Sequence, residues 1–138
     1  MIVIDTNVLS ALMQVAPEPK VIAWLDRQSQ TAVWTTSVTV FEIRFGLQIM
    51  AGGKRRSALL QAFESLLRRI EHRVASFDDA AASQAADLMA SRQNKGRPID
   101  LRDTMIAGIV LARQAGIATR NTDHFSDISA TVIDPWNA

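Results

Sequence analysis

The chain has no cysteine, which removes disulfides, thiolate nucleophiles and cysteine-ligated zinc sites together. Any metal must then be held by oxygen ligands or by its two histidines. No apolar run approaches the roughly 18 residues needed to span a bilayer. Nor do the opening residues Met1-Ile2-Val3-Ile4-Asp5 form a basic, then apolar, leader, so a cytoplasmic location without membrane attachment is expected. Charge of one sign is also missing: fifteen Lys plus Arg against fourteen Asp plus Glu leave a net charge of +1. With a pI near 8.3, overall field strength gives no argument for nucleic acid, which local patches must carry instead. Repeats, low-complexity stretches and long linkers are absent too, so residues 1–138 read as one domain.

What remains is an alternation of short β-branched runs with helical periodicities. Strands are predicted at Ile2–Ile4, Thr31–Ser37, Arg73–Phe77, Ile117–Arg120 and Thr131–Ile133. Helices are predicted after Asp5, from Val21 through Leu25 to near Ser29, from Val38 to the Gly52-Gly53 turn, over Ser57–Glu71, from the N-cap Asp78 to Gly96, and from Leu101 to Gly116. The fourth helix is expected to pack antiparallel on the third. This alternation implies an α/β fold of three layers, α/β/α, around a mainly parallel sheet.

In open α/β sheets a ligand crevice forms beyond the carboxyl ends of the strands, and several polar residues fall there. Asp5 ends the first strand, Glu42 lies in the opening turns of the helix after the second, Asp103 lies in the first turn of the helix before the fourth, and Asn121 ends that strand. Each has a plainer explanation. Asp5 begins an Asp-Thr-Asn segment that reads equally as a polar strand end or a helix cap, and Asp100-x-x-Asp103 resembles a capping box. Glu42 is the least easily dismissed, because its helical neighbours Val38, Thr39, Phe45 and Gly46 form a largely apolar or small-residue face where a carboxylate needs a partner. Spacing alone does not decide between Asp100 and Asp103: Asp100 follows Pro98-Ile99 and suits an N-cap, while Asp103 sits three residues before Ile106 and is taken as the inward acid.

These residues sit in segments similar to those of the PIN-domain ribonucleases of the VapC and FitB toxin type. The segments are Ile2–Ser10, Val40–Leu47, Arg97–Gly108, Ala118–Phe125 and Asp134–Trp136; they follow the family's order and span the chain. The resemblance implies an Mg²⁺- or Mn²⁺-dependent endoribonuclease, the toxin of a type II toxin-antitoxin pair. Its metal would lie on Asp5, Glu42 and Asp103, with Thr6 and Asn121 positioning water. Many relatives have an acid where Asn121 stands, so one ion rather than two is expected, with Asp123 two residues onward as a partial substitute. The resemblance also implies a homodimer and a DNA-binding antitoxin whose C-terminal segment enters the active-site groove, often with an arginine at the acids.

Lys95, Arg97, Arg102 and Arg120 flank the acidic edge and are the candidate RNA phosphate contacts, whereas Lys54-Arg55-Arg56 and Arg68-Arg69 read as solvated faces. His72 and His124 read as surface residues, and zinc is not expected. Trp24, Trp34 and Phe45 are candidates for partner contacts, with core packing as their default. An aspartyl phosphotransferase would want an acid where Asn7 stands, and a phosphorelay receiver a lysine beyond Lys95. A binding module whose metal site has decayed through Asn121 is the alternative from a different functional class.

Overall fold

The computed structural model describes residues 1–138. Its strands are β1 (Ile2–Ile4), β2 (Val33–Thr36), β3 (Val74–Ala75), β4 (Gly116–Ala118) and β5 (Val132–Ile133). Its helices are α1 (Thr6–Leu12), α2 (Pro19–Asp26), α3 (Ser37–Ile49), α4 (Lys54–Arg69), α5 (Asp79–Asn94) and α6 (Leu101–Arg113), with a 3-10 turn at Thr122–Phe125. The strands form one sheet in the order β3-β2-β1-β4-β5, and every pairing is parallel. The expected three-layer architecture is therefore the one observed.

Alternate residues of the central strand serve opposite layers. Ile4 joins one apolar core with Val8 and Leu9 of α1, Val21 and Leu25 of α2, Ile43 and Leu47 of α3, and Phe63 and Leu67 of α4. Val3 joins another with Ala81 of α5, Ile106, Ile109 and Val110 of α6, and Phe125. A strand covered on both faces must be apolar throughout, as β1 is.

Helix starts follow local chemistry. Thr36 caps α3 by accepting the Thr39 amide at 3.1 Å, and Asp78 caps α5 through the Ala81 amide at 3.0 Å. Pro19 opens α2 two residues before the expected start, consistent with its preset φ and missing N–H. At the end of α6 the expectation of Gly116 as terminus is corrected: Gln114 takes the left-handed position, with φ of 52°, and Gly116 already belongs to β4. β4 is likewise shorter than predicted, and Asn121 does not end it. The chain leaves the sheet at Thr119, and Asn121 precedes the 3-10 turn, inside a segment expected to be polar loop throughout; that turn buries Phe125 completely.

The α5–α6 contact depends on a missing side chain. A Cβ on Gly108 would lie 2.5 Å from the Ala81 carbonyl oxygen and 2.7 Å from the Ala85 Cβ. Gly108→Ala is expected to destabilise the protein by about 1–3 kcal/mol, the usual cost of overpacking. Urea denaturation checks it: the midpoint should fall with little change in slope.

Candidate active site

The chain moves outward from β1 to β2 and β3, then returns to the other side of β1 for β4 and β5. A reversal of this kind opens a crevice beyond the carboxyl ends of the two strands that flank it. Ile4 and Ala118 are paired across those strands, so the residues that follow, Asp5 and Thr119, leave the sheet side by side. A cavity of about 450 Å³ opens there, lined by Asp5, Thr6, Asn7, Glu42, Asp103 and Asn121, with Arg120 and Trp136 also in its wall.

Asp5 is almost wholly buried, 2% exposed. Its Oδ1 accepts the Thr6 amide at 2.8 Å, making it the N-cap of α1. Oδ2 accepts the Thr119 hydroxyl at 2.8 Å and the Asn7 side-chain amide at 3.3 Å. Burial pushes its pKa up to about 6; the Thr119 and Thr6 hydrogen bonds pull it back, and repulsion from Asp103 and Glu42 adds to the rise. The carboxylate is thus fully ordered but costly to ionise without a cation nearby.

Glu42 is held by a relay of hydroxyls. Thr36 donates to Thr39 at 3.3 Å, Thr39 and Thr6 lie 3.0 Å apart, and Thr6 donates to Glu42 Oε1 at 3.0 Å. Since Thr6 gives its only proton to the carboxylate, the Thr39 hydroxyl must be the donor to Thr6. Burial raises the Glu42 pKa, Thr6 and Arg102 oppose the rise, and Asp103 and Asp100 add to it. The apolar neighbourhood read from the sequence is therefore broken by one hydroxyl from α1, which only the fold supplies.

Asp103 and Asp100 separate as their positions suggested. Asp100 caps α6 by accepting the Arg102 amide at 2.8 Å, while Asp103 reaches the cavity. Its Oδ2 lies 2.5 Å from His124 Nδ1. His124 was expected to be a surface residue without a role here; its side chain is 43% exposed, but it touches an acid of the site. Asn121 lines the cavity and its backbone N–H donates to Thr119 Oγ1 at 3.0 Å. Asp123 does not line it; its carbonyl instead accepts from Arg97 and from Ser126 Oγ.

The flanking cations divide. Arg102 lies 3.6 Å from Glu42 and 3.4 Å from Asp100, and Arg120 lies over the Trp136 ring at 4.8 Å. Arg97 is engaged with the Asp123–Ser126 segment, and Lys95 is exposed at the end of α5. Of the three aromatics considered for partner contacts, Trp24 is buried in the core, Trp34 is half-buried beneath Arg113, and Phe45 is exposed.

Reading residues one at a time missed Thr119, Thr39 and His124. Thr119 had a usable signal, because a hydroxyl directly after a strand that pairs with β1 must emerge beside Asp5. Thr39 had the weaker signal of a hydroxyl one helical turn before Glu42. For His124 no spacing rule connects a loop residue to Asp103.

The donor set suits a hard divalent cation. It offers carboxylate and amide oxygens on an open cavity, without sulfur, and mutual repulsion acts on Asp5 and Glu42. In the side-chain positions present the acids do not close into a tight three-ligand cage: Glu42 rests on Thr6 and Arg102, and Asp103 on His124. An open arrangement of this kind fits an ion that keeps part of its water shell.

Comparison with known proteins gives a consistent set of likenesses. The PIN domain family model matches residues 2–130. The VapC ribonuclease Y4jK of Sinorhizobium fredii is 39% identical over 137 residues, covering 99% of this chain and 98% of that protein. The crystal structure of FitAcB from Neisseria gonorrhoeae superposes with a TM-score of 0.90 at 31% identity, covering all of both chains. The structure of FitAB bound to an IR36 DNA fragment superposes with a TM-score of 0.88, also at 31% identity, covering 99% of this chain and 96% of that one.

Proposed function

This chain belongs to the PIN-domain family, and from that premise we propose that it is an Mg²⁺- or Mn²⁺-dependent endoribonuclease, the toxin of a type II toxin-antitoxin pair acting in the cytoplasm. One observation carries the proposal. Carboxylates 37 and 61 residues apart in sequence, Asp5 to Glu42 and Glu42 to Asp103, line a single cavity at the sheet's switch point. Acids repel, and a fold that gathers three of them needs a cation to offset the cost.

Asp5, Glu42 and Asp103 would hold the ion, which when bound supplies Lewis-acid stabilisation of the phosphate and lowers the pKa of a coordinated water. The chain's own work is to keep those oxygens in place. Thr119 and Asn7 fix Asp5, the Thr36–Thr39–Thr6 relay fixes Glu42, and His124 engages Asp103. Asn121 presents a neutral amide to the cavity, so the site carries less negative charge than one with a fourth acid, in keeping with a single ion. Arg120, over the Trp136 ring, gives positive charge at the cavity, and Arg102 gives it at the adjoining groove, for the RNA backbone.

Two interaction surfaces support the partner readings. Beside the cavity runs a groove of about 400 Å³ that shares Thr6 and Glu42 and is walled by Phe45, Met50 and Leu59, with Arg55 and Arg102. An apolar antitoxin segment reaching the acids would fit this groove, and the similar FitAB assembly pairs a FitB chain with FitA on DNA. On α3, Phe41 and Phe45 stack at 6.2 Å, and with Ile49 and Leu101 they are exposed. Such a stripe is the candidate homodimer face. Phe41→Glu is expected to convert a dimer into a monomer in sedimentation velocity; an unchanged dimer would move the interface elsewhere.

The reaction is tested with a mixed RNA pool. Cleavage should appear in Mg²⁺ or Mn²⁺ and vanish in EDTA. Intact RNA under both ions would mean that the protein binds RNA or a partner without cutting.

A further inference from the structure

Arg92 is the only buried cation of the protein, 2% exposed, and all three of its guanidinium nitrogens are used. Nε and Nη2 grip the two oxygens of Asp127 at 2.9 and 2.8 Å. Nη2 also donates to the His124 carbonyl at 2.7 Å, and Nη1 donates to Thr104 Oγ1 at 3.0 Å. A buried guanidinium is destabilising unless it is satisfied in this way. Its partners are informative because they bracket one contact. Thr104 directly follows Asp103 on α6, and the His124 carbonyl belongs to the residue whose ring touches Asp103.

The 3-10 turn that carries His124 has one deep apolar anchor, Phe125. Apolar burial holds a segment down but is non-directional, so Phe125 alone does not set where the His124 ring lies. Arg92 supplies the missing direction by tying the turn and α6 to one planar group. Arg97 reinforces the turn from outside, through the Asp123 carbonyl and Ser126 Oγ. An ionised Asp103 only accepts, so His124 Nδ1 carries the proton and donates it to Oδ2, leaving Oδ1 free of that bond.

We propose that Arg92 and His124 are positioning residues of the active site: Arg92 clamps the turn to α6 so that the His124 ring fixes the Asp103 carboxylate for the metal. This rests on Asp103 being a metal-holding acid, as proposed above. Neither residue needs to touch the ion or the RNA. The arrangement belongs to the class in which outer partners orient metal ligands and their loss weakens metal binding by about 10–100-fold.

Two measurements test it. In the metal-free protein, proton NMR should show a low-field Nδ1–H resonance from His124 that disappears in Arg92→Met under conditions where circular dichroism reports a native fold. Mn²⁺ titration followed by electron paramagnetic resonance should then show His124→Phe weakened at least about tenfold. His124→Asn, whose amide nitrogen stands near the place of Nδ1, should recover most of the affinity, and Arg92→Met should lose it in the folded protein. A merely structural Arg92 would lower the melting temperature and leave both the resonance and the Mn²⁺ affinity of the folded variant unchanged, which overturns the clamp. Wild-type Mn²⁺ affinity in His124→Phe overturns the role of the ring. A wild-type protein that shows the resonance but binds no Mn²⁺ removes the metal reading and, separately from the contact, the function assigned to it.

Discussion

Replacing Asp5 by asparagine is expected to abolish RNA cleavage and, at the same time, to make the metal-free protein more stable. Loss of an outer partner of a metal ligand already weakens a site by about 10–100-fold, so loss of the most buried of the three acids proposed to hold the ion should reduce cleavage by at least about 100-fold. The stability effect has the opposite sign. Ionised Asp5 is held in a buried site that raises its pKa from 3.8 to about 6, equivalent to about 3 kcal/mol of unfavourable interaction with the charged form at neutral pH. Asparagine keeps one oxygen to accept the Thr6 amide, while Thr119 loses a charged acceptor, which returns part of that gain. A net stabilisation of about 1–2 kcal/mol remains. Urea denaturation in EDTA at pH 7.5, beside an RNA cleavage assay in Mn²⁺, reads both halves. An inactive variant that is also strongly destabilised would show Asp5 to be a structural hydrogen-bonding group instead.

The second large effect is on pH. Because the folded-state pKa of Asp5 lies above its unfolded value, folded protein binds a proton between about pH 4 and pH 6 that the unfolded chain releases. The contribution of Asp5 to metal-free stability is therefore fully present below pH 4 and is lost as pH rises through about 6, a change of about 3 kcal/mol. Glu42, raised by burial in the same direction, adds to this trend. Metal binding has the reverse dependence, since the ion must displace the proton. Below pH 6 each unit should weaken Mn²⁺ about tenfold for Asp5 alone. The rise in melting temperature at one fixed, high Mn²⁺ concentration should thus be clearly larger at pH 7.5 than at pH 5. Asp5→Asn should flatten both curves. A metal-induced rise in melting temperature that is equal at pH 5 and pH 7.5 would remove Asp5 from the ligand set.

Much of the architecture is legible in the sequence because it rests on local patterns. A run such as Ile2–Ile4 cannot be amphipathic and so reads as a strand covered twice. Asp78 before an alanine-rich stretch reads as a capped helix, whereas Gly52-Gly53, expected to end α3, lies beyond its last residue Ile49, and Gly53 takes the N-cap position of α4. Such local signals mislead where tertiary contacts override them. Thr119 and Arg120 look like strand residues, yet β4 stops at Ala118 and Thr119 is used to bind Asp5 and Asn121. Glycine is the usual helix stop, yet α6 ends at Arg113 and Gln114, not Gly116, takes the left-handed turn. The polar Asn121–Ser129 segment concealed a turn built around Phe125 and pinned by Arg92, a residue that reads as an ordinary basic side chain near the end of an exposed helix.

By itself the sequence determined the alternation of strands and helices, the parallel sheet, and the chemical kind of the site: oxygen donors and cations in a chain without thiols. These are properties of residue type and spacing over a few turns, which local sterics and burial decide. Only the tertiary structure decided which side chains meet. Placing Thr119 on Asp5, Thr6 on Glu42, His124 on Asp103, and Arg92 on Thr104 and the His124 carbonyl joins residues 12 to 114 positions apart, and such meetings follow from strand order and register, which no local pattern encodes.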